Sequence, residues 1–525
     1  MAAENTPLIL VPGALPMAAL QRIHRGGATL VMDPSADGDI ARSADIVRRA
    51  AAGDAPVYGV NTGFGKLAST RIAAGDLATL QRNLIRSHAV GIGAPLDPRV
   101  VRLVLAMKAA SLARGHSGVR PVIIDTLLAV YNAGIVPWIP AQGSVGASGD
   151  LAPLAHMTLA LCGEGEVVGA DRRMSALPVL HAAGIAPLVL EAKEGLALIN
   201  GTQVSTALAL DALLRFETVF ASALAIGAMT VDAARGSDAP FDARIHALRG
   251  QPGQIATASA YRALLAGSAI RNSHRVDDDR VQDPYSLRCQ PQVMGACLDQ
   301  LHYAAGVLLR EANAVTDNPL VFAEHGSDGG EVLSGGNFHA EPVALAADAM
   351  ALAIAEVGAI AERRIAMLID SSVSRLPSFL CADPGLNSGF MIAHVTAAAL
   401  ASENKSLAHP ASVDSLPTSA NQEDHVSMAT FAARRLGAMI DNTTHILGIE
   451  MLVAAQGIEF LRPLTTSPLL EAAHALVRRR SPPVPVDRYL APDIEAAAAL
   501  VGDGTLAALV LRLPGAPPLF LDAAD

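Results

Sequence analysis

Long segments of helical periodicity dominate the chain beyond residue 200, and they limit what it can fold into more than any other feature. Several are unusually long for a globular protein, and they carry apolar residues on more than one face. A helix of this kind needs neighbours on several sides, so it belongs in the middle of a bundle and often in a subunit interface. The segments are 201–235, 290–311, 340–368, 387–405 and 427–456.

The amino-acid composition supports a helical fold. Hydrophobic residues make up 51% of the 525 residues, but aromatic residues only 3%. Alanine and leucine, which favour helices, therefore supply most of the apolar volume. We predict a mostly α protein with an elongated central helical bundle and a smaller, mixed N-terminal domain. The expected division is an N-terminal domain over 1–118 and an elongated helical domain over 119–525.

The remaining elements are shorter. We expect a strand at 29–33, helices at 39–52, 77–88, 100–112, 121–132 and 151–162, a hairpin and loop at 164–180, and an irregular proline-rich tail with short helices from residue 481. Residues 57–66 form a glycine-rich loop whose spacing differs from that of a phosphate-binding Walker A loop. A loop of this composition that carries Tyr58 is better suited to a mobile lid.

Charge, apolar runs and cysteines narrow the class of protein. The net charge is −11 without any basic block, which argues against nucleic-acid binding. Polar residues bound or interrupt apolar runs such as 218–231 and 122–139, so we interpret these as buried helix segments and not as membrane spans. The four cysteines show no C-x-x-C spacing, and the N-terminus lacks the basic start of a secretion signal. We therefore expect a cytoplasmic protein without disulfides or a metal site.

The most informative motif for chemistry is Gly-Ser-Val-Gly-Ala-Ser-Gly-Asp-Leu at 143–151. At its centre, Ala147, Ser148 and Gly149 are three small residues in a turn punctuated by glycines. A backbone amide can attack a nearby carbonyl only where side chains leave the approach open, and Gly149 has no Cβ. If the Gly149 nitrogen closes onto the Ala147 carbonyl and two waters leave, Ser148 becomes the methylidene group of an imidazolone ring. This ring would be an electrophile made from the chain itself.

The same residues have simpler interpretations. Their glycine spacing matches neither a dinucleotide-binding fingerprint nor a nucleophile elbow. They could still form an ordinary helix start, with Ser148 or Asp150 as the N-cap and Pro153 in the first turn. Other polar clusters also have ordinary explanations when taken singly: His88 as a core or capping residue, Arg288 in an ion pair, and Glu423 in the acidic first turn of a helix.

Taken together, these motifs resemble the aromatic amino acid lyase family. The resemblance covers roughly residues 8–510 and rests on the motifs at 58–65, 143–154, 200–203, 282–292, 334–341 and 410–428. It implies that Ala147 and Gly149 become cross-linked and that Ser148 becomes a dehydroalanine, giving a methylidene-imidazolone without a diffusible cofactor. It also implies a homotetramer in which neighbouring subunits complete each active site.

The resemblance also assigns roles to other residues. It implies catalytic groups at Tyr58, Tyr285 and Glu423, and substrate-binding groups at His88, Asn200, Gln282, Arg288 and Phe338. Tyr58 matches the lid tyrosine, and either Tyr58 or Glu423 could be the base that removes the substrate's β-proton. Arg288 would hold the substrate carboxylate, because its planar guanidinium suits two oxygens. Phe338 would pack beside the ring.

The implied reaction is the non-oxidative elimination of ammonia from an aromatic amino acid. The pair Ser87-His88 resembles the family members that deaminate histidine, so we expect L-histidine as substrate and trans-urocanate as product, the first step of histidine degradation. One alternative is a tyrosine or phenylalanine ammonia-lyase or aminomutase with the same prosthetic group. Two others are a non-catalytic helical scaffold in which Ser148 stays a serine, and a fumarase-like lyase.

Overall fold

The fold is mostly helical, as predicted. The computed structural model describes residues 6–170, 172–276, 278, 280–324 and 329–513. The last prolines of the expected irregular tail lie outside these residues. Within them, the helices up to residue 200 are α1 (Met17–Arg25), α2 (Asp37–Ala52), α3 (Leu77–His88), α4 (Pro98–Leu112), α5 (Pro121–Asn132), α6 (Leu151–Leu161), α7 (Ala176–Ala182) and α8 (Glu194–Ile199).

The remaining helices include the five long ones. They are α9 (Gln203–Ala233), α10 (Ala243–Arg249), α11 (Pro252–Leu265), α12 (Ala269–Asn272), α13 (Tyr285–Arg288), α14 (Gln290–Ala312), α15 (Glu341–Ile369), α16 (Ser371–Ser374), α17 (Met391–Leu407), α18 (Ala429–Glu459), α19 (Pro468–Arg480), α20 (Ala491–Gly502) and α21 (Ala507–Leu511). Every long helix predicted from the sequence is present, with ends shifted by up to a few residues, as is usual where helix ends fray.

Strands are few and short, and they pair only two at a time. The parallel pair is β1 (Leu8–Leu10) with β2 (Leu30–Met32), and the antiparallel pairs are β3 (Ile92–Pro95) with β4 (Pro140–Gln142), β5 (Glu166–Val168) with β6 (Arg173–Ser175), and β7 (Leu320–Ala323) with β8 (Gly330–Leu333). The hairpin expected at 164–180 is present, but its predicted loop is wrong because α7 follows directly. The motif that begins at residue 282 contains the short α13.

The centre of the bundle is α18, which packs against α9, α15, α17 and α20. One apolar core extends from Leu10 to Val510 and contains most of these helices. Inside it, Arg364 of α15 pairs with Glu450 of α18, and both side chains are fully buried. Thr230 of α9 donates a hydrogen bond to the same carboxylate at 2.6 Å. Losing one partner would leave an uncompensated buried charge, so this contact ties three helices at one level.

Three segments of the described chain are long and apolar enough to cross a membrane by length and composition, which is more than the sequence analysis expected. They are Gln203–Ala233, Glu341–Ile369 and Ala491–Leu511. In the first two, 78% and 67% of the most apolar window is buried inside the chain. Their apolar side chains therefore face other helices, as inferred for 218–231. The third is interrupted between α20 and α21.

Candidate active site

The glycine-punctuated turn lies immediately before α6, and its backbone is folded tightly. Gly149 has a φ of +68°, which favours glycine. A Cβ built on Gly149 would collide with the carbonyl group of Gly201. That same carbonyl oxygen accepts a hydrogen bond from the Asp150 amide at 2.8 Å. Glycine is therefore required at 149 both by backbone conformation and by the approach of a second backbone segment.

The helix-start interpretation is correct in position, because α6 begins at Leu151 with Pro153 in its first turn, but no side chain caps the helix. Asp150 stands at the N-cap position but makes no capping hydrogen bond. Its carboxylate is fully buried and instead accepts hydrogen bonds from Ser205, Thr430 and Ser144. Burial raises the pKa of Asp150 above its ordinary value, although these hydrogen bonds oppose the shift.

Ser148 is held from two sides by groups distant in sequence. Its hydroxyl donates to the Glu423 carboxylate, with 2.9 Å between Oγ and Oε1. Its carbonyl oxygen accepts a hydrogen bond from the side-chain amide of Asn200, at 2.7 Å from Nδ2. The other polar atom of that amide, Asn200 Oδ1, is buried and has no partner among the described residues. An unpaired buried oxygen is costly, and here it lies beside the turn.

Glu423 is fixed by the loop that carries it. Its second carboxylate oxygen accepts a hydrogen bond from the Thr418 hydroxyl at 2.6 Å, and the Thr418 and Glu423 backbones also pair. Between them, Ser419, Ala420 and Asn421 all have positive φ angles, from 51° to 64°. Non-glycine residues in this region are strained, and such strain concentrates at functional sites. The loop therefore presents one carboxylate to Ser148 in a defined orientation.

A cavity of about 1110 Å³ opens in front of the turn. Among the residues predicted for the site, those that line it are Tyr58, His88, Ala147, Ser148, Asn200, Phe338 and Glu423. The Tyr58 hydroxyl accepts a hydrogen bond from the Gly65 amide at 3.3 Å, within the glycine-rich loop. His88, at the end of α3, has its Nδ1 at 2.8 Å from the Leu84 carbonyl oxygen. Imidazole Nε2 is thus its remaining polar atom.

Four residues predicted for the site do not line this cavity within one chain. Gly149 lies in the turn itself, and the other three, Gln282, Tyr285 and Arg288, lie in α13 or just before it. The Tyr285 side chain is 71% exposed. Arg288 forms no ion pair in the described structure. Its guanidinium lies 4.5 Å from the centre of the Tyr285 ring, and its Nε donates to the Asp283 carbonyl oxygen.

Sequence reasoning missed several residues that shape the site. Thr418 orients Glu423, and the hydroxyls of Ser144, Ser205 and Thr430 surround Asp150. Ser144 and Thr418 lie inside motifs named above, but a sequence does not show which distant group a hydroxyl contacts. At the rim of the cavity, His339, Glu341 and His425 place possible metal-ligating atoms within 4.8 Å of one another. The His339 ring contacts the His425 carbonyl oxygen through Nε2 at 3.2 Å.

A helical bundle thus presents a carboxylate, a phenol and an imidazole around an Ala-Ser-Gly turn, a set of groups that can bind a small molecule and move its protons. The comparisons with known proteins give the family. Residues 15–479 match the model of the aromatic amino acid lyase family, and the chain belongs to this family.

Curated relatives and solved structures are similar to this chain over nearly its whole length. The histidine ammonia-lyase of Rhodospirillum rubrum is 62% identical, with 96% of this chain and 98% of the relative aligned. The crystal structure of histidine ammonia-lyase from Trypanosoma cruzi matches with a TM-score of 0.87 and 41% identity, covering 96% of this chain and 95% of that one. A tyrosine aminomutase from Streptomyces globisporus has a TM-score of 0.90 and 36% identity, covering 97% and 99%. The fold alone therefore does not select the substrate.

Proposed function

We propose that this enzyme removes ammonia from L-histidine without oxidation, giving trans-urocanate in the first step of histidine degradation in the cytoplasm. The observation that carries the proposal is the arrangement around Ser148: Glu423 on its hydroxyl, Asn200 on its carbonyl oxygen, and Gly149 against Gly201. A serine that only filled a turn would not need a carboxylate and a buried amide directed at it.

The residues fit a methylidene-imidazolone formed from Ala147, Ser148 and Gly149. The backbones of Ala147 and Gly149 already approach each other across the turn, and Gly149 has no side chain to block closure. Asn200 would hold the ring through the oxygen contributed by Ser148. Once formed, the ring supplies an electrophilic carbon for the substrate's amino group, which makes ammonia a better leaving group.

The surrounding side chains move protons and orient the substrate. We assign β-proton removal to a base that is either Glu423 or Tyr58, since both face the cavity. Thr418 holds Glu423 in position for this role. Phe338 gives the substrate ring an apolar wall, and the lid that carries Tyr58 excludes water when it closes. The N-terminus of α6 directs its positive pole towards the electrophile.

Gln282, Tyr285 and Arg288 reach the site from neighbouring subunits of a homotetramer in this proposal. Two observations support it. These residues lie outside the cavity of their own chain, and α15 and α17 leave large apolar side chains exposed. The latter are Leu345, Leu352, Ile392 and Val395. Contiguous exposed apolar surface on long helices is typical of a subunit interface. Arg288 would then hold the carboxylate of a substrate bound in another chain's cavity.

His88 supports histidine over tyrosine or phenylalanine. Because Leu84 occupies its Nδ1, Nε2 is available for an imidazole, which offers both a donor and an acceptor. A phenyl ring would leave this group unpaired, and unpaired buried polar groups discriminate strongly. The names of two relatives that are more than 60% identical, both histidine ammonia-lyases, favour the same substrate. The alternative is an ammonia-lyase or aminomutase that acts on tyrosine or phenylalanine. The structural similarity to a tyrosine aminomutase supports this alternative.

The test is an ultraviolet assay for urocanate with purified enzyme and L-histidine, run beside Ser148→Ala and beside L-tyrosine and L-phenylalanine. We expect urocanate from the wild type alone, an intact mass lower by two water molecules, and nearly complete loss of both features in Ser148→Ala. Preference for tyrosine or phenylalanine with the same mass deficit would overturn the substrate. An intact mass without the deficit would overturn the electrophile.

A further inference from the structure

A lysine is buried beneath the turn that supports the electrophile. Lys108 of α4 is 1% exposed, and its ammonium donates to the carbonyl oxygens of Asn200 at 2.8 Å and Ala197 at 3.1 Å. Both carbonyls belong to the C-terminal end of α8, where a positive charge is favourable. The ammonium therefore fixes the position at which the chain leaves α8 and turns towards Gly201.

The opposite face of this turn touches the reactive tripeptide. Asn200 donates from Nδ2 to the Ser148 carbonyl oxygen, and the Gly201 carbonyl oxygen accepts the Asp150 amide. A Cβ on Gly201 would come within 3.2 Å of Lys108 Nζ. The segment 200–201 is thus enclosed between the lysine on one side and residues 147–150 on the other. Any shift of this segment changes how closely the tripeptide is folded.

The ordinary explanation for a buried lysine is an ion pair, and it does not apply here. The nearby carboxylate of Asp317 is already bonded to Lys193 at 2.7 Å and to the Ser117 hydroxyl at 2.9 Å. Lys108 makes no salt bridge among the described residues, and burial lowers its pKa to about 7 despite the opposing charge of Asp317. A polar side chain that is costly to bury is thus used on two carbonyls beneath Asn200.

We propose that Lys108 is a positioning residue for the electrophile. It holds the 200–201 turn against Ala147, Ser148 and Gly149, so that the tripeptide stays folded for ring closure and the Asn200 amide keeps its bond to the Ser148 oxygen. This inference rests on the proposed function, because it concerns the formation and use of the same ring. Lys108 itself touches neither the substrate nor the reacting atoms.

The experiment compares Lys108→Met with Lys193→Met in the full-length enzyme. Methionine keeps the length and apolar character of the stem in both cases, and Lys193→Met removes the neighbouring buried ammonium without touching Asn200. For each variant we would measure the fraction of chains that have lost two waters by intact mass, kcat and KM on L-histidine, and thermal unfolding. A purely structural role would change only the last.

We expect Lys108→Met to accumulate unprocessed chains and to lower kcat about ten- to a hundredfold, as small misplacements near a reacting centre do, with little change in KM. Lys193→Met should complete the ring.

Complete ring formation and unchanged kcat in Lys108→Met would overturn the proposal, and so would an equal loss in both variants. If Lys108→Met does not fold, Lys108→Gln replaces it in the experiment, because the shorter glutamine amide cannot bind both carbonyls. Wild-type ring formation and kcat in Lys108→Gln would also overturn the proposal. A wild type without the mass deficit would instead refute the proposed function.

Discussion

In the proposed function, His88 is the side chain that separates substrates on a shared fold. Its ring is anchored through Nδ1 to Leu84, and Ser87 adds a second contact at 3.1 Å. This anchoring removes the choice of which imidazole nitrogen faces the cavity. A side chain with one defined polar atom in an otherwise confined space recognises a hydrogen-bonding ring and rejects an apolar one.

Replacement of His88 by leucine should therefore weaken the enzyme selectively. We expect kcat/KM on L-histidine to fall about tenfold, which corresponds to the loss of a single hydrogen bond of about 1–1.5 kcal/mol. Steady-state kinetics on histidine, tyrosine and phenylalanine would check this. The matched change Ser87→Ala keeps the His88 imidazole and should lower kcat/KM less. An equal loss on all three amino acids would show that His88 does not select the substrate.

At the scale of elements, the site forms where helices begin. Through its hydrogen bonds, the carboxylate of Asp150 joins the start of α6 to Ser205 near the start of α9 and to Thr430 near the start of α18. Three positive helix poles thus converge behind the turn. The buried Asp150 carboxylate offsets the repulsion between these three positive N-termini. The three helices also hold the Ala-Ser-Gly turn in position.

The contact between Gly149 and Gly201 can be tested at this scale. Gly149→Ala should abolish ring formation and activity, because the added methyl group collides with the Gly201 carbonyl and the φ of +68° disfavours alanine. Overpacking of this kind costs about 1–3 kcal/mol of stability. Intact mass and thermal unfolding are the measurements. Gly75→Ala, where a Cβ meets nothing within 4 Å, is the control. Normal ring content in Gly149→Ala would contradict this account.

Local chemistry was predictable from the sequence, but long-range contacts were not. The Ala-Ser-Gly turn could be recognised because its requirement for small residues is local, and the long helices because their apolar periodicity is strong. The partners of Ser148 are 52 and 275 residues away in the chain, and no spacing rule connects them. Thr418 and Lys108 likewise gain meaning only from packing. The expected division at residues 118 and 119 stays a prediction.

At the scale of the whole molecule, the proposed function requires residues that one chain does not bring together. Its cavity holds the turn, Asn200 and Glu423, whereas Arg288 and its neighbours lie elsewhere on the same chain. A closed assembly would bring these residues together if the cavity of each subunit faced the α13 region of another subunit. Activity then depends on assembly, and dilution below the dissociation constant of the assembly should remove activity without unfolding the helices.

Mixed assemblies test this sharing of residues directly. Ser148→Ala and Arg288→Ala should each be nearly inactive alone, but coexpression should restore up to about a quarter of wild-type activity, because random mixing unites an intact turn and an intact arginine in that share of sites. The control pair is Ser148→Ala with Glu423→Gln. These two residues contact each other within one chain, so no mixture can rebuild their site and activity should stay absent.

The measurement is urocanate formation by purified hybrids carrying two different affinity tags. Absence of restoration in the first pair, with hybrids present, would place Arg288 outside the shared site; restoration in the control pair would show that Glu423 acts across subunits.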